Sequence, residues 1–251
     1  MPVKRVNQVL RAIQQRQSIR TPFDRNHSVA DEDLLQILEA ARWAPTPHNM
    51  QNFEIIVVDE RGLLEAISSV ESPISEVFIR ENFQQLSFSL EELKRKKVGL
   101  LGTMFPPELR NPEAKLDGSK KRKWSSQERL VKSGPVLLIV IFDPSRRAPA
   151  SEGDFLGIMG LGCVMENMWL MAQSLGLAFH IISSLGEEPV ETEIKNILQI
   201  PKGLRIAFGA RLGYPPSKSS RYLRVRRDVN EIAHHNQYGH RPFRTIPLGK
   251  L

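Results

Sequence analysis

The 251-residue sequence is poor in cysteine. Cys163 stands alone, which excludes an internal disulfide framework and a cysteine-based zinc site. Uninterrupted apolar runs of about 18 residues are also missing, so no membrane-spanning segment is expected. Met1 to Val9 is polar and lacks the apolar core of a signal peptide. No segment repeats. Gly157-Ile158-Met159-Gly160-Leu161-Gly162 has the wrong spacing for a dinucleotide fingerprint and sits in a helical pattern rather than after a strand. The composition nevertheless supports a folded core: 41% of residues are hydrophobic, 25% are charged, and eleven are Phe. A reducing compartment, the cytoplasm, is the expected setting.

The net charge of +7 is unevenly spread. Residues 1–25 carry +5, residues 80–132 carry +6 and residues 218–251 carry +6, which leaves the rest of the chain at −10. A basic chain can bind nucleic acid, an anionic membrane surface or a phosphorylated small molecule, and composition does not choose among them. The basic runs contain no interleaved aromatics and no nucleic-acid motif, so no nucleic-acid partner is expected. A basic nucleic-acid-binding protein is the alternative from another functional class.

Val6, Val9, Leu10 and Ile13 recur at helical spacing and predict a helix over 5–16, closed by Thr21-Pro22. Asp31, Glu32 and Asp33 suit the positive start of a second helix, which Pro45 ends at Ala44. A buried strand is predicted over 53–58 and a short helix over 60–69. Residues 70–132 read as an insertion or lid, with helices over 75–98 and 124–132. Strands are predicted over 135–142, 178–183 and 205–212, and helices over 152–175 and 191–198. The tail is basic and punctuated by proline. Together these elements predict one mixed sheet flanked by helices.

Two segments stand out chemically. Arg16-Gln17-Ser18-Ile19-Arg20 gathers two guanidiniums and a hydroxyl just past a helix. This is good phosphate-binding chemistry, and it is equally what a solvated basic helix end looks like. Ala44-Pro45-Thr46-Pro47-His48-Asn49-Met50-Gln51 joins a helix to a strand. Its amides suit the edge of a heteroaromatic ring, though Pro and Asn are common in any such loop. Other polar residues carry less. His180 alternates with apolar strand residues and reads as a core or cleft histidine. His234, His235 and His240 do not match metal-ligand spacing, and no metal is expected. Cys163 is expected to be a buried structural thiol. Gly153 and Gly157 are expected to permit close helix approach at a dimer interface.

In order, Arg-x-Ser-x-Arg, then Ala-Arg-Trp-Ala-Pro-Thr-x-x-Asn-x-Gln, then an apolar strand resemble the amino-terminal signature of the FMN-dependent nitroreductase family. Asp154 opening a long helix with Glu166-Asn167-Met168-Trp169-Leu170, Arg211-Leu212-Gly213-Tyr214-Pro215, and Arg226-Arg227-Asp228-Val229-Asn230-Glu231-Ile232 are similar to later family features. The resemblance spans most of residues 5–238, with 70–132 matching poorly. Gln17 replaces a family Arg, Thr46 a Ser, and Asn52-Phe53 a Pro-Trp.

The resemblance implies an α+β sandwich in one domain over 1–251. Its mixed, mainly antiparallel sheet would be flanked by helices, with a helical insertion and an extended tail from 214. It implies FMN as cofactor, NAD(P)H as co-substrate and a small acceptor (a nitroaromatic, quinone or flavin) reduced by ping-pong chemistry. A specialised dehalogenase or flavin-cleaving member is the alternative within the family. Arg16, Gln17, Ser18 and Arg20 would hold the FMN phosphate, joined by Arg226 and Arg227. Pro45, Thr46 and Asn49 would lie against the flavin. Ile182, Ser183 and Ser184 would meet its ring. A homodimer with shared sites is implied, so that the 45–49 loop serves the neighbouring chain's flavin. The flavin would carry the chemistry, and no acid–base side chain is singled out.

Overall fold

The computed structural model describes residues 8–24, 26–72, 77, 80–104, 130–149, 153, 155–216 and 223–241. In chain order the elements are α1 (Gln8–Gln15), α2 (Asp31–Arg42), β1 (Phe53–Val58), α3 (Arg61–Ser68), β2 (Ser87–Phe88), α4 (Leu90–Lys96) and β3 (Leu100–Leu101). They continue with β4 (Val136–Phe142), α5 (Phe155–Ser174), β5 (Ala178–Ile182), α6 (Val190–Ile197), β6 (Arg205–Gly213) and α7 (Val229–Ile232). Contacts divide the chain into two compact units. The larger comprises Asn7–Pro73 and Lys123–Ser219; the smaller comprises Met1–Val6, Ile74–Arg122 and Ser220–Leu251.

The larger unit is built on a four-stranded sheet in the order β1-β4-β6-β5, with every described pairing antiparallel. β4 is apolar at every position because both of its faces are covered. Val136, Leu138 and Val140 face α2 and α5, where Ile37, Ala41, Val164 and Met168 are buried against them. Leu137, Ile139 and Ile141 face α3 and α6, where Leu64, Ile67, Val190 and Ile194 close the second layer. Two apolar layers on one sheet give the sandwich implied by the sequence.

Among the described residues, Glu191 is the one buried acidic side chain, 1% exposed at the start of α6. Its carboxylate accepts hydrogen bonds from Arg205 Nε at 2.8 Å and from the backbone N–H of Ile206 at 2.7 Å. These bonds fasten α6 to β6. Glu191→Ala orphans the Ile206 N–H and is expected to cost about 2–3 kcal/mol, read by urea unfolding. Wild-type stability in the variant would mean that packing alone holds α6.

α5 is long and apolar enough, by length and composition, to cross a membrane. Here its Leu161, Val164, Met168 and Ala172 are buried in the sheet core. Its first turns are different: Phe155, Leu156, Ile158 and Met159 are all exposed. Cys163 is half-buried rather than buried, because it flanks the packed stripe of this helix instead of lying within it. Within one chain a close approach occurs at Gly160. A Cβ there would meet Pro47 Cδ at 3.2 Å and Thr46 Cα at 3.6 Å, whereas nothing lies within 4 Å of one at Gly153.

The smaller unit departs from the sequence expectation. The predicted 75–98 helix is broken: Arg80–Gln85 is π-helical, β2 pairs in parallel with β3, and α4 begins afresh at Leu90. The break is set by a capping box, in which Ser89 Oγ accepts from Glu92 N while the Glu92 carboxylate accepts from Ser89 N. α4 ends at Lys97, which has a left-handed backbone. Most of the predicted 124–132 helix lies outside the described residues. In the tail, Lys97 Nζ lies 2.6 Å from both Asp228 Oδ2 and Glu231 Oε1, so the insertion and α7 are tied within one unit.

Candidate functional site

The Arg16–Arg20 segment runs as an extra partial strand beside the sheet edge. Ser18 bridges in parallel to Phe179 of β5, and Ile19 N donates to Phe179 O at 3.5 Å. Phe23 N donates to Ser133 O at 2.7 Å, and Asp24 N donates to Tyr214 O at 3.0 Å just beyond β6. The segment is therefore pinned at both ends. Arg16 is half-buried, with its guanidinium 4.2 Å over the Trp169 ring and its Nε 3.1 Å from Glu166 Oε1. Gln17 and Ser18 are half-buried and Arg20 is exposed. Two guanidiniums, a hydroxyl and an amide thus share a short ordered stretch, which is what an anion cradle requires.

Beneath this stretch lie two polar residues on neighbouring strands. His180 of β5 and Arg211 of β6 are register partners, 8% and 1% exposed. Arg211 Nη2 donates to Ile19 O and to Thr21 O, each at 3.1 Å, and its guanidinium lies 4.0 Å over the Phe23 ring. Burial lowers the Arg211 pKa to about 10, so it stays charged at neutral pH. Burial, with the charges of Arg211 and Arg20, lowers His180 to about 3 and keeps it neutral. His180 is thus the core histidine its alternation predicted, whereas Arg211 was not singled out for a site role. The available signal was a lone charged residue in the apolar run Phe208 to Gly213.

Ile182 closes β5 and is buried. Ser183 and Ser184 follow in a 3-10 turn over Ser183–Gly186, Ser183 exposed and Ser184 half-buried. Ile182 lies three residues along β5 from the Ser18 bridge at Phe179, or roughly 10 Å at the rise of a strand, and the turn begins at the next residue.

The 45–51 loop has an unusual backbone. His48, Asn49 and Gln51 have φ of 50°, 54° and 44°, a region uncommon for residues other than glycine and one that asparagine tolerates best. The conformation is held by Gln51 N donating to Thr46 Oγ1 at 3.2 Å and by Gln51 Nε2 donating to Asn49 Oδ1 at 3.1 Å. Pro45 and Asn49 are exposed and Thr46 is half-buried. Before the loop, Trp43 is 72% exposed, with its indole N–H on Glu39 at 2.7 Å. Hydrogen bonds from Arg42 and then Trp43 hold the Glu39 carboxyl down to about 2.

Within one chain these parts are associated with opposite edges of the sheet. The 45–51 loop feeds β1 at one sheet edge, while Ser18 bridges to β5 and the 183–186 turn follows β5 at the other. Three strand spacings separate the edges, or roughly 14 Å. The concavity lined by Asn52, Phe53, Phe142 and Arg146 lies at the β1 edge, away from the cradle. Arg226 and Arg227 are exposed in the smaller unit. Of the tail histidines, His234 accepts from Gly239 N at 2.7 Å through Nδ1 and meets Arg241 at 2.8 Å through Nε2.

A model of the nitroreductase family matches residues 13–214. The NADPH-flavin oxidoreductase of Vibrio harveyi is 26% identical over 131 residues, covering 52% of this chain and 53% of that protein. The chain thus spans about half the length of that curated relative. Among solved structures, a Bacteroides fragilis nitroreductase with bound FMN is 22% identical with a TM-score of 0.56, covering 88% of this chain and 96% of that one. An FMN-dependent nitroreductase of Clostridium difficile is 17% identical with a TM-score of 0.57, covering 90% and 98%. At these identities the structural likeness is one of fold.

Proposed function

This chain belongs to the nitroreductase family, and from that premise we propose that it is an FMN-dependent oxidoreductase that takes hydride from NAD(P)H and reduces a small acceptor. The observation that carries the proposal is the pinned Arg16–Arg20 segment, which sets two arginines and a serine hydroxyl within five residues at the edge of the sheet. The donors fit a phosphate monoester. Bound FMN would supply the redox chemistry, accepting a hydride and returning it to the acceptor in alternating half-reactions.

The chain's own residues bind and orient. Arg16, Gln17, Ser18 and Arg20 hold the phosphate; for Arg226 and Arg227 of the tail the same role rests on the family resemblance alone. Ile182, Ser183 and Ser184 border the ring, a strand's length from the cradle. Pro45, Thr46 and Asn49 border it from a second chain. That division is supported by their separation across the sheet within one chain, and by the exposed apolar residues Phe155, Ile158 and Met159 beside the loop contact at Gly160. Such a patch is the kind of surface a second copy covers. A homodimer in the cytoplasm is the form this proposal takes.

Steady-state kinetics test it. With NADH or NADPH varied against a quinone, a nitroaromatic or free flavin, the FMN-loaded protein is expected to give parallel double-reciprocal lines with one of the acceptors. Absence of NAD(P)H oxidation with all three acceptors would overturn the assignment.

A further inference from the structure

A guanidinium buried to 1% exposure is costly unless its charge is used. Arg211 meets no carboxylate among the described residues, and burial is the one cause acting on its pKa. Its Nη2 is satisfied by Ile19 O and Thr21 O, while its Nε and Nη1 carry no hydrogen bond. Thr21 Oγ1 and His180 Nδ1 beside it are likewise buried without a partner. Hydrophobic neighbours of similar volume would stabilise this corner at least as well as an unpaired cation.

We infer that Arg211 is the positioning residue of the anion cradle: it fastens the Ile19 and Thr21 carbonyls from below and lends to a phosphate monoester held above a positive charge that no carboxylate among the described residues neutralises. Two physical effects combine. A planar trans peptide turns its C=O and N–H to opposite sides, so anchoring the Ile19 carbonyl inward turns the Arg20 N–H away from the guanidinium. The charge acts through a low-dielectric layer, where it is screened less than a surface charge. Neutral His180 fills the adjacent register position without adding a second buried charge. Gly134 makes room, since a Cβ there would overlap Arg211 Cγ.

This inference rests on the FMN reading and deepens it. The test is titration of apoprotein with FMN and with riboflavin, which lacks the phosphate, followed by flavin fluorescence. Arg211→Met is expected to weaken FMN by about tenfold or more, leave riboflavin within about twofold, and leave the unliganded melting temperature unchanged or raised. Arg211→Lys keeps a charge but cannot reach both carbonyls with a planar fork, so its FMN affinity should fall in between. Gly134→Ala displaces the guanidinium without removing it and is expected to weaken FMN selectively too. If Arg211→Met does not fold, the other two variants decide. Equal weakening of both flavins, or FMN affinity unchanged in the folded variants, overturns the role of Arg211 and leaves the FMN reading standing. A wild-type protein that binds neither flavin overturns the FMN reading itself.

Discussion

Replacing Arg16 and Arg20 together with alanine is expected to weaken FMN binding by roughly 3–6 kcal/mol, about two to four orders of magnitude. Each arginine offers a phosphate a charge-assisted contact of about 1.5–3 kcal/mol. The two positions are not equivalent. Arg16 is already oriented by Trp169 and Glu166, so little side-chain freedom remains to be lost on binding. Arg20 is exposed. Arg16→Ala alone and Arg20→Ala alone are each expected to cost about 1.5–3 kcal/mol. Isothermal titration with FMN reads all three variants. An unchanged affinity in the double variant would mean that the phosphate sits elsewhere.

The second large effect is a loss of stability in mild acid, traced to His180. Its folded pKa is about 3 against an ordinary 6.5, so between those values the unfolded chain binds a proton that the folded chain refuses. The stabilisation is present above pH 6.5 and is lost as pH falls toward 3. The slope approaches about 1.4 kcal/mol per pH unit, which amounts to about 2 kcal/mol between pH 7 and 5 and on the order of 4–5 kcal/mol by pH 3. The first interval lies above the range in which most carboxylates titrate. Urea unfolding at pH 7 and pH 5 should show the loss in the wild type and a much flatter response in His180→Leu. The same slope in both would assign the acid sensitivity to other groups.

Much of the fold was legible because burial leaves a pattern. β4 is covered on both faces, so its run from Val136 to Phe142 is apolar throughout and its limits follow directly. α2 announces itself with three acids at its start and ends before Pro45. The 75–98 stretch misled because its alternation of charge and leucine resembles a continuous helix. Ser89 and Glu92, at capping-box spacing, were the visible sign of the break.

The site was legible in its composition and not in its assembly. Arg16, Ser18 and Arg20 are close in sequence and remain close in the fold. That Arg211 lies beneath them depends on β5 and β6 pairing across a gap of more than twenty residues, which no local pattern encodes. Gly160 shows the same limit. Its role comes from Pro47 passing over α5, and nothing around it in the sequence distinguishes it from Gly157 or Gly162. The basicity of residues 1–25 and 218–251 finds a use in the proposed phosphate contacts. The cluster at Lys94 to Lys97 is accounted for only in part, by the hold of Lys97 on Asp228 and Glu231.

The most direct measurement is size-exclusion chromatography with light scattering and visible absorbance, on protein saturated with FMN and freed of excess. One FMN per chain is expected, migrating with a dimer of the 28.5 kDa chain. A peak with no flavin absorbance contradicts the FMN assignment, and a flavin-bearing monomer contradicts the shared site.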